Sequence, residues 1–289
     1  MKVKRLPNNP IIHPHMDDRM GDNINGPSLI RIPDWIEKPL GRYYLYFAHH
    51  DGRYIRLAYS NDLLGPWTTY RDGVLPIPDA LFAGHVASPD VHVDHLQRQI
   101  HMYYHGSDTA SGGGGMQVTR VATSHDGLHF TPLSELLGRP YFRVFQWSGY
   151  HYALAMPGVF YRSRDGLTGF EEGPTLFTRN MRHSALKLDG NILFVFYTNA
   201  GDCPERILLS TIDLTSDWMG WTALEPIIVL EPELDYEGGN LPREPSKRGL
   251  VTKPVCQLRD PAIFREEGRT YLLYSVAGEY GITIAEIKE

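Results

Sequence analysis

Short aromatic runs with strand character recur along the chain: Tyr43-Tyr44-Leu45-Tyr46-Phe47, His101-Met102-Tyr103-Tyr104, Tyr150-His151-Tyr152-Ala153-Leu154, Leu193-Phe194-Val195-Phe196-Tyr197 and Tyr271-Leu272-Leu273-Tyr274. Four of the five follow a glycine-containing turn, at Gly41, Gly149, Gly190 and Gly268. Runs this short, rich in aromatic and β-branched residues and bounded by turn formers, predict strands. About 15 to 20 residues further on comes a second recurring unit: Ser60-Asn61-Asp62-Leu63, Ser124-His125-Asp126-Gly127-Leu128, Ser163-Arg164-Asp165-Gly166-Leu167 and Thr211-Ile212-Asp213-Leu214. Asp-Gly between apolar runs is a hairpin signal, because glycine accepts the positive φ of a tight turn. These four aspartates are therefore read as turn formers. An aromatic follows each: Trp67, Phe130, Phe170, and Trp218 or Trp221.

An apolar strand precedes each aromatic run, starting near Gly26, Ser88, Pro140, His183 and Asp260. Five units of about four strands predict an all-β fold, a single five-bladed β-propeller. The blades fall at approximately 25–70, 85–133, 139–178, 181–224 and 257–289 plus 1–12, in one domain spanning 1–289. The last unit has three strands, so a strand near Val3-Lys4-Arg5 is expected to complete it and close the ring. Strand alternation then assigns the loops to faces. Segments 9–25, 71–87, 132–140, 171–182 and 225–259 share an upper face with 48–53, 105–116, 155–158, 198–206 and 276–281, and the Ser-x-Asp turns lie beneath.

Composition narrows the function without choosing it. Hydrophobic residues make up 42% of the 289, enough for a substantial core, and charged residues 21%. The net charge of −6 and the absence of Lys/Arg runs argue against nucleic-acid or anionic-membrane partners and favour a neutral or mildly polar ligand. Cys203 and Cys256 match neither a metal-ligand spacing nor a disulfide framework. No apolar leader follows Met1-Lys2-Val3-Lys4-Arg5, and no stretch approaches ~18 apolar residues, so a cytoplasmic protein is expected, or a secreted one if a leader has been removed. Oligomeric state has no signature here.

Three stretches resemble the five-bladed glycosidases of glycoside hydrolase family 43, and more distantly families 117 and 32. Asn9-Pro10, Gly26-Pro27-Ser28-Leu29-Ile30 and Gly41-Arg42-Tyr43-Tyr44-Leu45-Tyr46, with Ser60 through Gly65-Pro66-Trp67, resemble the first blade. Ala87-Ser88-Pro89-Asp90-Val91-His92 with Met102-Tyr103-Tyr104 resembles the second blade's Ala-Pro-Asp-Val element, and Arg182-His183-Ser184 the Gly-His-x-Ser element that carries an axial histidine. The resemblance implies a glycosidase acting at an axial pocket on a short oligosaccharide or a terminal, furanosidic sugar, using carboxyl groups as acid and base. It places Asp90 on the position of an aspartate that tunes the acid. It also shows two departures: Gly26, preceded by Asn25, stands where the family has its general base, and Pro140 or Tyr141 where it has its general acid. No cofactor is required, and a structural Ca2+ at the propeller axis is left open.

The remaining candidates come from the upper face. Asp260, in Arg259-Asp260-Pro261, opens the last inner strand, and the family 32 resemblance implies a sugar-holding role for this element, Arg259 included. His183 is a candidate proton carrier, metal ligand or axial residue. The long 225–259 connection offers Glu231, Glu233, Asp235, Glu237 and Glu244 as substitute acids, and the shorter loops offer Glu205 and Glu279. His13, His15, His49, His50 and His85 form a belt suited to sugar hydroxyls or a metal. Arg143 suits a carboxylate or an anionic sugar. Asn25 immediately precedes the base position, and Trp35, Trp147 and Tyr150 are candidate stacking platforms. The Ser111-Gly112-Gly113-Gly114-Gly115 run is read as a flexible lip and not a phosphate loop. Two other readings stay open: a carbohydrate-binding propeller without catalysis, and a metal-dependent sugar lyase or epimerase built on the histidine belt.

Overall fold

The computed structural model describes residues 1–107 and 115–288; the stretch 111–114 of the glycine run lies outside them. The described chain is built from four-stranded antiparallel sheets. Strand β1 (Lys2–Arg5) precedes blade one, β2 (Asn25–Arg31), β3 (Tyr43–Ala48), β4 (Ile55–Ser60) and β5 (Thr68–Val74). Blade two is β6 (Val86–Asp94), β7 (Gln99–Ser107), β8 (Gln117–Ser124) and β9 (Thr131–Pro132). Blade three is β10 (Arg143–Trp147), β11 (Tyr150–Ala155), β12 (Val159–Ser163) and β13 (Glu171–Thr175). Blade four is β14 (Met181–Asp189), β15 (Ile192–Asn199), β16 (Ile207–Asp213) and β17 (Ile227–Leu230); its outer strand lies beyond the 181–224 segment, within the long connection. Blade five is β18 (Arg259–Glu266), β19 (Arg269–Ser275) and β20 (Ile282–Lys288), and β1 pairs with β20 from Lys2↔Lys288 to Arg5↔Ala285. The fold is a five-bladed β-propeller closed by its N-terminal strand.

The aromatic runs are the second strands, and both faces of each are buried. Tyr44 and Tyr46 of β3 pack with Val91, Met102 and Tyr104 of blade two, while Leu45 and Phe47 pack with Leu273 and Ile284 of blade five. Phe196 and Tyr197 divide in the same way between blades five and three. Alternation with a period of two thus puts a hydrophobic layer on each side of a blade, and the core is the set of layers between blades. The Ser-x-Asp segments turn as expected. Asp126 accepts from the amides of Leu128 and His129 at 2.8 and 2.9 Å, and Asp165 from those of Leu167 and Thr168 at 2.8 Å. Asp62 and Asp213 accept in the same way from Leu64 and Thr215.

One backbone device recurs at the top of the innermost strands. Gly26, Ser88, Tyr141, His183 and Asp260 have φ of 60°, 50°, 70°, 33° and 47°. The register with the second strand slips at Asn25/Ser28, Ala87/Asp90, Arg182/Ser184 and Arg259/Ala262. A bulge of this kind re-aims one side chain, and L-residues held at positive φ mark positions that the surrounding structure over-determines. In blade one glycine also eases a close approach: a Cβ on Gly26 would lie 3.1 Å from the Ser88 Cα, a contact relieved only if blade two gave way by a few tenths of an ångström.

Candidate active site

The upper-face loops meet the bulges around a cavity of about 230 Å3. Its lining draws on every blade: Asn25 and His50, then His85 and His105, then Tyr141, then Arg182 and His183, then Asp260 and Glu279.

Asp260 is 2% exposed. The Tyr141 hydroxyl donates to its Oδ1 at 2.7 Å, and His183 Nδ1 stands 3.5 Å from the same oxygen. Oδ2 is buried with no protein partner among the described residues. Burial and the nearby Glu279 charge push its pKa up to about 6, against the Tyr141 hydrogen bond and the charges of Arg182 and Arg259. Tyr141 is a stable donor, because burial and Asp260 push its own phenol well up.

His183 Nε2 lies 3.3 and 3.1 Å from Nε and Nη2 of Arg182. A guanidinium only donates, so Nε2 accepts and the ring hydrogen is assigned to Nδ1, facing Asp260. Burial and the charges of Arg182 and Arg259 drive the imidazole pKa well down, so the ring is neutral. The rings of His105, Tyr141 and His183 form a row with centroids 6.0 and 5.1 Å apart. His105 is likewise held neutral by burial and by neighbouring His85 and Arg143, and its Nδ1 has no partner among the described residues.

Glu279 behaves in the opposite way. It accepts from Arg259 Nη1 at 2.8 Å and Asn23 Nδ2 at 2.5 Å, with His50 Nδ1 at 3.3 Å. Burial alone would raise its pKa, but the His50 hydrogen bond and the Arg259 charge prevail and hold it at about 2. His50 is raised in return, since Glu279 outweighs the burial that opposes its charge. The cavity therefore holds one carboxylate fixed as an anion and one carboxyl that titrates near neutrality.

Of the residues singled out from sequence, Asp260, His183, Glu279, Asn25, His50 and His85 come together on the lining. Arg259 and Glu205 lie behind it, both fully buried. Glu205 accepts from Thr198 at 2.7 Å and stands 3.5 Å from both Arg182 and Arg259, serving them as a counter-ion. Asp90 and Arg143 line a second axial cavity of about 120 Å3, together with Ser28 and Ala262. There Asp90 meets His92 at 2.7 Å and the Val144 amide at 2.8 Å, while Arg143 donates to the carbonyls of Ser184, Ser88, Pro89 and Phe142. His49 accepts from the Asp51 amide outside the lining, Trp147 packs on Trp221 and Tyr152, and Glu244 is exposed.

The long connection reaches the cavity through Arg248 and Gly249. Its acids face elsewhere: Glu231 pairs with Arg206 at 2.5 Å, Glu233 with Arg5 at 2.9 Å, and Glu237 is sealed against Arg5. Sequence reasoning missed His105, Asn23, Gln117, Met156 and Arg248, and the chemical role of Tyr141. His105 had a signal, since it opens the 105–116 segment that strand alternation assigns to the upper face. Among the described residues no group of three or more His, Cys, Asp or Glu is arranged to hold a metal ion.

No family model matches the chain. Its fold is shared by a GH43 β-xylosidase/α-arabinofuranosidase from a compost microbial metagenome, 14% identical with a TM-score of 0.65 over 99% of this chain and 96% of that one. A protein from Bacteroides ovatus named as a putative glycoside hydrolase superposes with a TM-score of 0.69 at 14% identity, over 100% and 97%. A protein of the GH130 family of mannoside phosphorylases, which contains glycoside hydrolases that target β-1,2 mannosidic linkages, gives 0.71 at 11% identity over 99% and 93%. In sequence, the uncharacterized protein R118 of Acanthamoeba polyphaga mimivirus is 37% identical over 322 aligned positions, covering 99% of this chain and 90% of that protein. A likeness of that extent along the whole chain has one consequence: the protein belongs to the family of mimivirus R118.

Proposed function

We propose that the protein cleaves the glycosidic bond of a sugar seated in the axial cavity, with Asp260 as the general acid. The observation that carries this reading is the Asp260 carboxyl itself. It is buried at the top of an inner strand, with a pKa pushed up to about 6 and with Oδ2 unpartnered among the described residues while Tyr141 occupies Oδ1. Such a group keeps a proton available near neutral pH and presents it on one oxygen, which protonation of a leaving alcohol requires. Glu279, held anionic, supplies fixed negative charge to an oxocarbenium-like transition state. Asn25, His85 and His105 present polar atoms for sugar hydroxyls, and the cavity has room for one sugar ring. The fold shared with a β-xylosidase/α-arabinofuranosidase supports the choice of a glycoside.

Asp260→Asn removes the proton and leaves an acceptor for Tyr141. On a panel of aryl furanosides and aryl pyranosides, turnover is expected to fall by about 10²–10⁴-fold with the folded spectrum retained. Cleavage at the wild-type rate by the folded variant overturns the assignment.

A further inference from the structure

The axial cavity does not end at its own rim. Gln117 and Met156 line it and also line a groove of about 570 Å3 that runs outward over blades two and three. The groove is walled by Met116, Val118, Leu136, Pro140 and Tyr161. Met116 and Leu136 are 68% and 40% exposed, so the chain leaves large apolar side chains in solvent beside the axial cavity. An apolar patch that adjoins a site is where a ligand, and not the core, supplies the missing contacts.

Of the polar side chains on the groove's wall, Tyr161, Glu172 and Arg139 engage one another, and Gln117 is shared with the axial cavity. The Tyr161 hydroxyl donates to Glu172 at 2.6 Å, and Arg139 stands 3.5 Å from the same carboxylate. A second sugar unit would bring several hydroxyls to a surface with few free partners, and each left unpaired would cost binding. A hydrocarbon brings none, and the two methionines adapt to its shape.

We propose that this groove is the subsite for an apolar aglycone, so that the substrate is a glycoside of an apolar alcohol, with its sugar at Asp260 and its aglycone over blades two and three. This rests on the reading of the axial cavity given above. The leaving alcohol takes the Asp260 proton as the glycosidic C–O bond breaks, and water adds its oxygen to the anomeric carbon and returns a proton to the carboxylate. The products are a free sugar and an apolar alcohol, and atoms and charge balance.

The test is a series of n-alkyl glycosides, methyl to octyl, of the sugar that the aryl panel identifies. In the wild type, kcat/KM is expected to rise with chain length, approaching about fourfold for each methylene that the groove buries. In Leu136→Asp and Met116→Asp, whose side chains are exposed and not needed for folding, the slope is expected to flatten. A flat wild-type profile, or a slope that survives both substitutions, overturns the proposal. A readout independent of turnover separates it from the assignment of Asp260. With methyl-labelled methionine, n-octyl glucoside below its micelle concentration should move the Met116 and Met156 resonances, and methyl glucoside should not. Equal shifts from the two probes, or none from either, overturn the groove assignment whether or not Asp260 is the acid.

Discussion

One oxygen of Asp260 accepts a hydrogen bond and the other, among the described residues, accepts none, and this asymmetry decides where a proton can sit. Tyr141 donates to Oδ1 at 2.7 Å, and His183, its tautomer set by Arg182, turns Nδ1 toward the same atom at 3.5 Å. The acidic hydrogen is thereby directed to Oδ2. Tyr141 also favours the ionised carboxylate, so it works against the burial that raises Asp260. Tyr141→Phe should therefore raise the Asp260 midpoint by about one pH unit, since a hydrogen bond to a charged group is worth roughly 1.5–3 kcal/mol and a unit of pKa about 1.36. The activity of a general acid is lost as pH rises through its pKa. The wild-type kcat/KM should fall above about 6, and the falling limb of the variant should lie higher. A variant limb that coincides with the wild type would show that Tyr141 has a packing role only.

At the scale of the element, the strands that close the ring are tied by one buried carboxylate. Glu237, on the long connection, accepts from Arg5 of β1 at 2.7 and 2.9 Å and from Tyr274 of β19 at 2.9 Å, as well as from the amides of Glu233 and Leu234. Glu233 meets the same arginine at 2.9 Å, but its side chain is 65% exposed. Breaking a buried pair leaves an uncompensated charge, at about 3–5 kcal/mol, whereas an exposed pair is worth about 0–1 kcal/mol. Glu237→Ala should lower the denaturation midpoint sharply and speed amide exchange along β1 and β20, while Glu233→Ala should do neither. Equal effects would mean that the closure rests on strand pairing alone. The ring, its closing strand and the sharing of the upper face were legible because a period of two and turn chemistry write them locally. The direction of an inner-strand side chain was not. Asp90 and Asp260 both adjoin a proline and an apolar run, but Asp90 follows its proline and Asp260 precedes it, so Asp260 occupies the bulge and Asp90 lies two residues past its own bulge at Ser88. That offset sends one to the upper cavity and the other to the lower. Tyr141 was hidden for the opposite reason, since an aromatic beside Phe142 reads as core.

For the molecule as a whole, the cavity places two carboxyls whose pH dependences oppose each other. The Asp260 value of about 6 lies above its ordinary 3.8, so the folded state binds this proton more tightly than the unfolded chain. Its contribution is complete below about pH 4 and is lost as pH rises through about 6. Glu279, at about 2 against an ordinary 4.5, contributes stability above about 4.5 that is lost as pH falls through about 2. Each departure corresponds to about 3 kcal/mol. Asp260→Asn should therefore stabilise the fold toward that limit at about pH 7.5 and change little at about pH 4, as expected of a group kept for chemistry at a cost to stability. Glu279→Gln should destabilise it at about pH 7.5 by a similar amount, because Arg259 keeps its burial and loses its carboxylate. Part of the Asp260 shift comes from the Glu279 charge, so the two effects are coupled. With Glu279 neutral, Asp260 should titrate lower, and Asp260→Asn should then stabilise the Glu279→Gln background by less than it stabilises the wild type. Denaturation of the four species at the two pH values measures that coupling directly. Additive effects would mean that the carboxyls do not sense each other across the cavity, and the elevated Asp260 value would then rest on burial alone.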